Sequence, residues 1–141
     1  MTPSETSRLL RPEPNITNLS APFWDLANDR TLATPKCSNC GDRHFPPGPN
    51  CPTCLSKDLK WVSVSGHGKL VSWVIFHQVY WDDVRDDVPY LVATVDLDEG
   101  IRLLSNLVGS AAENPEYGMA LQVTFRPNTS GRLLPVFERA D

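Results

Sequence analysis

From residue 59 onward, apolar and polar residues alternate with the period of two that is typical of β-strands. The longest run covers residues 69–80. Residues 90–97 form another run, and the Asp98-Glu99-Gly100 segment that follows it predicts a tight hairpin turn. Helix signals are weak in this half of the chain. Five or six short strands in about 80 residues favour a small closed barrel over an open sandwich. The predicted strands cover residues 61–65, 69–80, 90–97, 101–107, 119–125 and 133–137.

A helical pattern precedes the strands. Phe23, Leu26 and Ala27 share one face by their i, i+3, i+4 spacing, so we expect a short helix within residues 20–33. Trp24 falls partly off this stripe. It could pack against the segment that follows, or it could contact a partner from an exposed position. The sequence leaves both interpretations open.

Residues 1–19 have the composition of a tail. They contain several prolines, serines and threonines but few large apolar side chains. Such a segment cannot bury enough apolar surface to order itself alone. We therefore expect a flexible N-terminal tail, which is either loose or an arm that becomes ordered on a partner.

All four cysteines of the chain stand in two C-x-x-C pairs separated by ten residues, Cys37 with Cys40 and Cys51 with Cys54. A C-x-x-C turn directs two thiolates towards one point, and two such turns complete a tetrahedral S4 site that suits Zn²⁺. Four thiolates leave no position open for water or substrate, so we expect a structural zinc ion. The pattern predicts a zinc ribbon over residues 34–58.

Two other roles for the cysteines fit the sequence less well. Disulfides require an oxidising compartment, but the chain begins without an apolar signal segment, so we expect a cytoplasmic protein. A redox-active dithiol motif would be a single C-x-x-C that opens a helix after a strand. Both pairs here lie in proline-rich loops instead.

Composition and charge exclude some classes of partner. The net charge is −4 and the isoelectric point is near 5.3, with 13 basic residues scattered among 17 acidic ones. Nucleic-acid-binding proteins usually gather Lys and Arg on one face, so a nucleic-acid partner is disfavoured. No apolar stretch approaches the roughly 20 residues that a membrane span needs. We therefore expect no membrane association.

The sequence shows no catalytic constellation. His44, His67 and His77 are far apart and accompany no nucleophile motif, so no residue is predicted to be catalytic. Residues 82–87 hold four carboxylates, but they lack the regular donor spacing and the glycine of known Ca²⁺ loops. This segment is more typical of a solvated acidic loop.

Aromatic residues flank this acidic loop. Tyr80 and Trp81 precede it and Tyr90 follows it. A second interpretation is therefore a loop with an aromatic rim that contacts a partner or a ligand. Aromatic residues also stack on nucleic-acid bases, but the negative charge beside them would repel phosphates.

Several motifs together resemble a known family. The similar stretches, which span about residues 20–138, are Phe23-Trp24, Cys37-x-x-Cys40, Phe45-Pro46-Pro47, Cys51-Pro52-x-Cys54, Trp61, Ser65-Gly66-x-Gly68, Pro89-Tyr90, Val95-Asp96-Leu97-Asp98-Glu99-Gly100 and Gly118-Met119. With these motifs the chain resembles the DUF35 family, OB-fold proteins with an N-terminal rubredoxin-like zinc ribbon that are linked to acyl-CoA metabolism. The resemblance implies a mainly β protein with a short helix, a zinc ribbon and an OB-fold barrel of five to six strands over residues 59–138.

The resemblance also implies a function. Members of this family look like obligate partners of thiolase-superfamily enzymes, including thiolases and the retro-aldolases of steroid side-chain degradation. They help to shape or stabilise the acyl-CoA site of the catalytic subunit. We therefore expect a non-catalytic accessory subunit in a hetero-oligomer. The candidate contacts to a partner or ligand are Phe23, Trp24, Tyr80, Trp81 and Tyr90.

Two alternatives remain. The barrel face and the ribbon could form a groove for a pantetheine arm, which would make the protein a stand-alone acyl-CoA binder. OB barrels and ribbons also occur in single-stranded nucleic-acid-binding modules, although the charge balance disfavours this role. An enzyme that acts alone is the least favoured hypothesis.

Overall fold

The computed structural model describes residues 10–140 as a mainly β protein, which confirms the predicted fold class. A two-stranded antiparallel sheet pairs β1 (Ala33–Cys37) with β2 (Leu59–Ser63). A five-stranded sheet contains β3 (His67–Phe76), β4 (Tyr90–Leu97), β5 (Arg102–Asn106), β6 (Ala120–Pro127) and β7 (Leu133–Arg139). The helices are α1 (Ala21–Asn28), α2 (Ser110–Glu113) and a 3₁₀ turn at Asp82–Val84.

The larger sheet curls into the half-barrel of an OB-fold. Its strand order is β5-β4-β3-β6-β7, with antiparallel neighbours throughout. The two outer strands of this order, β5 and β7, approach each other. Leu107, which follows β5, forms a bridge with Phe137 of β7, and the Val108 N–H donates to the Phe137 carbonyl at 2.9 Å. The Ser105 hydroxyl also donates to the Pro135 carbonyl at 3.0 Å. Five strands therefore build the barrel, and β2 pairs in the ribbon instead.

The hydrophobic core lies inside this curl. Leu70, Val95, Leu121 and Phe137 come from four different strands and are each at most 1% exposed. Their alternation with exposed residues accounts for the period of two in the sequence. Burying one such side chain contributes about 1.5–3 kcal/mol. The core thus belongs to the barrel and draws little from the ribbon.

Helix α1 packs against β7 through Phe23 and Ala27, as the sequence pattern predicts. The helix is shorter than the predicted segment 20–33, because Arg30 adopts a left-handed φ of 57°. The Arg30 N–H donates to the Ala27 carbonyl and the Thr31 N–H to the Leu26 carbonyl, both at 2.9 Å. These two bonds form a Schellman motif, which satisfies the last carbonyls and redirects the chain into β1.

The described part of the predicted tail lies against the barrel. Arg11 pairs with Asp87 at 2.7 Å, and Glu13 pairs with Arg132 at 2.8 Å. Residues 1–9 of the predicted tail lie outside the described residues. We call residues 10–14 the arm. Its contacts differ from the expectation of a loose segment because its charged residues find partners that are distant in the sequence.

No helix within residues 10–140 has both the length and the apolar character that a membrane crossing requires.

Candidate metal centre and adjoining groove

The first C-x-x-C turn begins where β1 ends. Cys37 is the last residue of β1, and the Gly41 N–H returns to the Cys37 carbonyl at 2.9 Å. Gly41 has a φ of 80°, which glycine adopts without steric cost. The Cys40 N–H points to the Cys37 sulfur at 3.4 Å. This local geometry turns both side chains towards one point.

The second turn repeats the first with a different residue. The Leu55 N–H donates to the Cys51 carbonyl at 2.9 Å, as Gly41 does to Cys37. Leu55 has a φ of 67°, although a non-glycine residue in this conformation costs roughly 1–2 kcal/mol. The N–H groups of Thr53 and Cys54 point to the Cys51 sulfur at 3.4 and 3.5 Å. The turn geometry is therefore retained despite local strain.

The two turns bring all four sulfurs together. The sulfurs lie within 4.8 Å of one another, and the Cys37–Cys54 and Cys40–Cys51 pairs are each separated by 3.6 Å. A tetrahedral S4 site with Zn–S bonds of about 2.3 Å requires S–S separations of roughly 3.8 Å. These S–S separations are too long for disulfide bonds, in which the two sulfurs lie about 2.0 Å apart, and all four cysteines are free. The donor set and its spacing fit a zinc ion.

The surroundings affect the thiols unequally. Hydrogen bonds from the Asn39 side chain and the Ser56 backbone lower the pKa of Cys54 to about 6. A backbone hydrogen bond from Asp42 favours the Cys40 thiolate, but burial and the other three sulfurs outweigh it and raise the Cys40 pKa to about 12. The neighbouring sulfurs therefore oppose ionisation of the Cys40 thiol. A bound divalent cation would supply the charge that stabilises four thiolates.

The histidines do not join the cysteine cluster. His44 Nδ1 lies 3.2 Å from Asp42 Oδ2, and its Nε2 is buried without a hydrogen-bond partner. Asp42 Oδ2 in turn lies 4.0 Å from the Cys51 sulfur, so His44 supports the ribbon from outside the sulfur cluster. His67 and His77 are exposed at and beyond the ends of β3. Among residues 10–140, the four cysteines are the only cluster arranged to hold a metal ion.

A largely apolar groove of about 380 Å³ adjoins the ribbon. Trp24 of α1, Phe45 of the ribbon, and Leu104 of β5 line it together with Trp81. Arg11 of the arm also lines this groove. The helix, the ribbon, the arm and the barrel thus each contribute a wall.

A second cavity of about 510 Å³ adjoins this groove and shares Phe45 and Leu104 with it. It extends over the outer face of β3, β4 and β5 as far as Arg102. Arg102 donates to Asp96 at 2.6 and 3.0 Å, which lowers the pKa of the Asp96 carboxyl.

The structure separates the predicted contact residues of α1. Phe23 is 8% exposed, and its ring packs 4.9 Å from Trp24 and 5.1 Å from Phe45. Phe23 is therefore largely buried, but it also lines the groove, so its contact to a partner or ligand stays a prediction. Trp24 is half-buried and lines the groove, so its ring both packs on Phe23 and remains accessible.

The aromatic residues around the acidic loop form one cluster. Tyr80 and Trp81 are 57% and 53% exposed, with ring centroids 6.2 Å apart. Phe76 links them to Tyr90, with centroid distances of 6.0 Å to Tyr80 and 5.4 Å to Tyr90. The Arg11 guanidinium lies 4.3 Å above the Tyr90 ring, so Tyr90 is half-buried. We call Phe76, Tyr80, Trp81 and Tyr90 the aromatic cluster.

Sequence reasoning missed the role of Arg11. This residue pairs with Asp87, stacks on Tyr90 and donates to the Asn106 side chain at 3.3 Å. It therefore ties the acidic loop to the barrel beside the groove. A single arginine among prolines and polar residues carries no local signal of this role.

Comparison with protein families divides the chain into two matched regions. Residues 24–60 match the model described as "ChsH2, rubredoxin-like zinc ribbon domain". Residues 61–126 match the model described as "ChsH2, C-terminal OB-fold domain". The two regions meet between Lys60 and Trp61, within β2.

The chain is similar to three curated proteins of different kinds. It is 36% identical to a "Probable enoyl-CoA hydratase alpha subunit" of Thermomonospora curvata over 94% of this chain and 41% of the relative. It is 34% identical to a "DUF35 domain-containing scaffold protein" of Methanothermobacter thermautotrophicus over 67% of this chain and 71% of the relative. It is 31% identical to "Benzoylsuccinyl-CoA thiolase subunit BbsA" of Geobacter metallireducens over 69% of this chain and 66% of the relative. The chain thus spans less than half the length of the hydratase subunit.

A solved structure titled "Ltp2-ChsH2(DUF35) aldolase" contains a similar chain. The TM-score is 0.82 at 35% sequence identity, with 92% of this chain and 100% of that chain covered. The similarity therefore includes both the ribbon and the barrel.

Proposed function

Because the chain belongs to the DUF35 family, with a ChsH2-type zinc ribbon and OB-fold, we propose that it is a non-catalytic accessory subunit of an acyl-CoA-processing complex. Its partner in this proposal is a thiolase-superfamily enzyme of the thiolase or steroid side-chain retro-aldolase type. The partner carries out the chemistry. This chain stabilises the partner and helps to shape its acyl-CoA site.

The observation that carries this proposal is the similarity to the chain in the aldolase structure over that chain's entire length. A similarity limited to the ribbon would support only a generic metal-binding module, since ribbons occur in many proteins. The thiolase subunit among the relatives supports the same class of partner, and the hydratase subunit supports the acyl-CoA context. The "scaffold" relative supports a role without chemistry of its own.

The metal has a structural role in this proposal. Cys37, Cys40, Cys51 and Cys54 would hold Zn²⁺ in a closed S4 site, with no open position for a substrate. The ion would supply folding free energy to a ribbon that is too small to bury a core of its own. Phe45, which follows the first C-x-x-C turn, would then be held against Phe23 and beside the groove.

The groove and the aromatic cluster are the surfaces that we assign to the complex. Trp24, Phe45 and Leu104 present an apolar wall that suits the pantetheine or acyl part of a CoA thioester. Tyr80 and Trp81 are exposed aromatic residues, a type that is enriched in protein interfaces. A partner seated on the aromatic cluster would cover Trp81 and close the groove.

Co-expression tests this proposal. The chain and the thiolase-superfamily enzyme encoded beside its gene are produced together, with an affinity tag on one protein only, and the purified mixture is measured by light scattering. We expect a stable hetero-oligomer and an enzyme that loses activity or solubility without this chain. An enzyme that is fully folded and active alone, with no association in the mixture, would contradict the proposal.

A second function, stand-alone acyl-CoA binding, is favoured by the groove itself. Its lining is mostly apolar and is formed within one chain. Titration calorimetry of the isolated chain with acetyl-CoA, octanoyl-CoA and a steroid-CoA distinguishes the two functions. Heat of binding without the partner would support a stand-alone binder, whereas no heat in any titration would exclude it.

A further inference from the structure

One edge of β3 is open over more than half of the strand. On one side, β4 pairs with β3 from Gly68 to Phe76. On the other side, β6 pairs only with residues 67–69, and its neighbours Gly118 and Met119 extend the hydrogen bonds to Leu70. Beyond Leu70, no residue in the range 10–140 pairs with this side of β3. Residues 71–76 thus form an edge with unpaired backbone groups, which we call the β3 edge.

The β3 edge lacks the charges and prolines that usually prevent strand pairing, although the register with β4 shifts between Leu70 and Ser72, where the edge begins. Natural edge strands carry lysine, proline or inward-pointing charges that block the approach of another strand. The sequence of the edge is Val-Ser-Trp-Val-Ile-Phe, without a charge or a proline. Val74 and Ile75 point to opposite faces and are 54% and 51% exposed. An apolar edge of this kind is suited to the addition of a strand from another chain.

The segment that follows the β3 edge adds two kinds of contact. Tyr80 and Trp81 are exposed beside it, as described above. Asp82 is paired with Arg85 at 2.9 Å and Asp87 with Arg11, but the other two carboxylates of the loop, Asp83 and Asp86, make no ion pair with any described residue. Unpaired acidic groups at the rim of an apolar surface favour a partner with basic residues at the matching position.

Two observations argue against a second copy of this chain as the occupant. Each copy has a net charge of −4, so two acidic surfaces would repel each other. An antiparallel pair of β3 edges would also direct the chain beyond Phe76 of one copy towards Leu70 of the other, where Gly118 and Met119 already occupy the edge. A basic partner of different sequence meets neither obstacle.

We propose that the β3 edge receives a β-strand of the thiolase-superfamily partner, flanked by basic residues that face Asp83 and Asp86. This inference rests on the proposed function, because it requires that partner. The added strand would pair with the backbone of residues 71–76, and its side chains would cover Val74 and Ile75. The aromatic cluster would then lie at the margin of the same interface.

Hydrogen exchange of the wild-type complex tests the backbone pairing. The chain is measured alone and with the thiolase-superfamily enzyme encoded beside its gene. We expect the amide groups of residues 71–76 that face the open edge to exchange at least tenfold more slowly in the complex. A complex that forms without any change in these amides would overturn the inference and leave the proposed function standing. If no complex forms, both proposals fail together.

Two pairs of substitutions test the side-chain contribution. Val74→Lys combined with Ile75→Lys places gatekeeper charges on residues that are already half-exposed, so the barrel should still fold. We expect the Kd for the enzyme to rise at least tenfold, while Tyr117→Lys, a control at a 79% exposed site outside the edge, leaves it unchanged. Asp83→Lys with Asp86→Lys should slow association and weaken its salt dependence. An unchanged Kd for both pairs of substitutions would overturn the inference. It would also be overturned if the wild-type chain self-associates and the lysines at positions 74 and 75 abolish that self-association.

Discussion

At the scale of single residues, close backbone contacts decide which side chains are allowed. Gly68 lies opposite Leu97 in the β3–β4 ladder. A Cβ atom at this position would lie 2.5 Å from the Asp96 carbonyl oxygen and 3.1 Å from the Leu97 Cα. These neighbours are backbone atoms and cannot rotate away. The glycine is therefore required by the curvature of the barrel at this point.

Gly68→Ala should lower the free energy of unfolding by about 1–3 kcal/mol, because the added methyl group must displace the backbone of β4. Gly48→Ala is the matched control, since its nearest neighbour, the Asn50 carbonyl oxygen, lies 3.9 Å away. The control should remain within about 0.5 kcal/mol of the wild type. Urea denaturation of the metal-loaded protein measures both. Equal midpoints for the two variants would contradict this account.

Glu13 holds the arm on the β6–β7 hairpin. Its carboxylate accepts hydrogen bonds from the Ser130 hydroxyl at 2.6 Å and the Asn128 amide at 2.7 Å, and it pairs with Arg132 at 2.8 Å. These partners, the Ser130 hydrogen bond foremost, lower the pKa of Glu13 from 4.5 to about 2. The charged form is therefore favoured in the folded state.

This shift predicts a pH dependence. A carboxyl whose folded-state pKa is lowered contributes stability that is complete above its unfolded pKa and is lost as the pH falls through the folded pKa. The stability difference between the wild type and Glu13→Gln should thus be constant above pH 4.5 and shrink between pH 4.5 and 2. Urea midpoints across this range measure it, with Glu113→Gln, an exposed carboxylate, as the control for charge removal. A difference that stays constant down to pH 2 would refute the role of Glu13.

At the scale of elements, the ribbon and the barrel are stabilised by different means. The barrel buries its own side chains from four strands, as Leu70 and Phe137 illustrate. The ribbon has one two-stranded sheet and two turns, and its most buried apolar groups include the ligands Cys37 and Cys51. A segment of this size would depend on a bound metal ion to fold. A bound metal would also offset the strain at Leu55, since metal binding outweighs about 1–2 kcal/mol.

Cys54→Ser should release the metal and unfold the ribbon while the barrel remains intact. Three ligands bind zinc far more weakly than four, and the barrel core contains none of them. Metal analysis and hydrogen exchange measure the two parts separately: protection should disappear in residues 37–58 and persist in β4 and β6. Ser38→Ala, at an exposed position between the first two ligands, should retain both metal and protection. A Cys54→Ser protein with a full metal content would contradict the assignment.

At the scale of the whole molecule, an aromatic contact helps to connect the ribbon to the barrel. Phe45 leaves the ribbon and packs 5.1 Å from Phe23, which α1 inserts into the barrel core. Phe45 also lines both cavities along the ribbon–barrel boundary. The Phe45 ring therefore lies both at the contact between the ribbon and the barrel and in the groove. Without this contact, the ribbon and the barrel should unfold more independently of each other.

Phe45→Ala should destabilise the molecule by roughly 2–3 kcal/mol, somewhat less than full truncation of a core phenylalanine, because the ring is only partly buried. It should also split thermal unfolding into two transitions, one for the ribbon and one for the barrel. Phe45→Leu, which keeps an apolar contact, should preserve a single transition. Scanning calorimetry of the metal-loaded protein distinguishes these results, and a single unshifted transition for Phe45→Ala would contradict the coupling.

Much of the fold and the metal centre could be predicted because the determining patterns are local. The alternation in β3 and β4 reflects the pleat of a strand, and each C-x-x-C pair positions its own two sulfurs within one turn. Phe23 was harder to assign. Its position on the helical stripe was correct, but how much of its ring remains accessible depends on how α1 lies on β7. Partner or ligand contacts by Phe23, Trp24, Tyr80, Trp81 and Tyr90 stay predictions.

By itself, the sequence determined the mainly β class, the short helix, the ribbon and the sulfur cluster, because each depends on residues within one element or on motifs that are close together in the sequence. Only the tertiary structure decided the features that join distant residues. Arg11 and Asp87 are 76 positions apart in the sequence, and Glu13 and Arg132 are 119 positions apart, so no local pattern predicts either ion pair. The groove and the β3 edge also depend on residues that are distant in the sequence. A groove exists only where separate walls come together, and an edge is open only because β6 leaves β3 after Leu70.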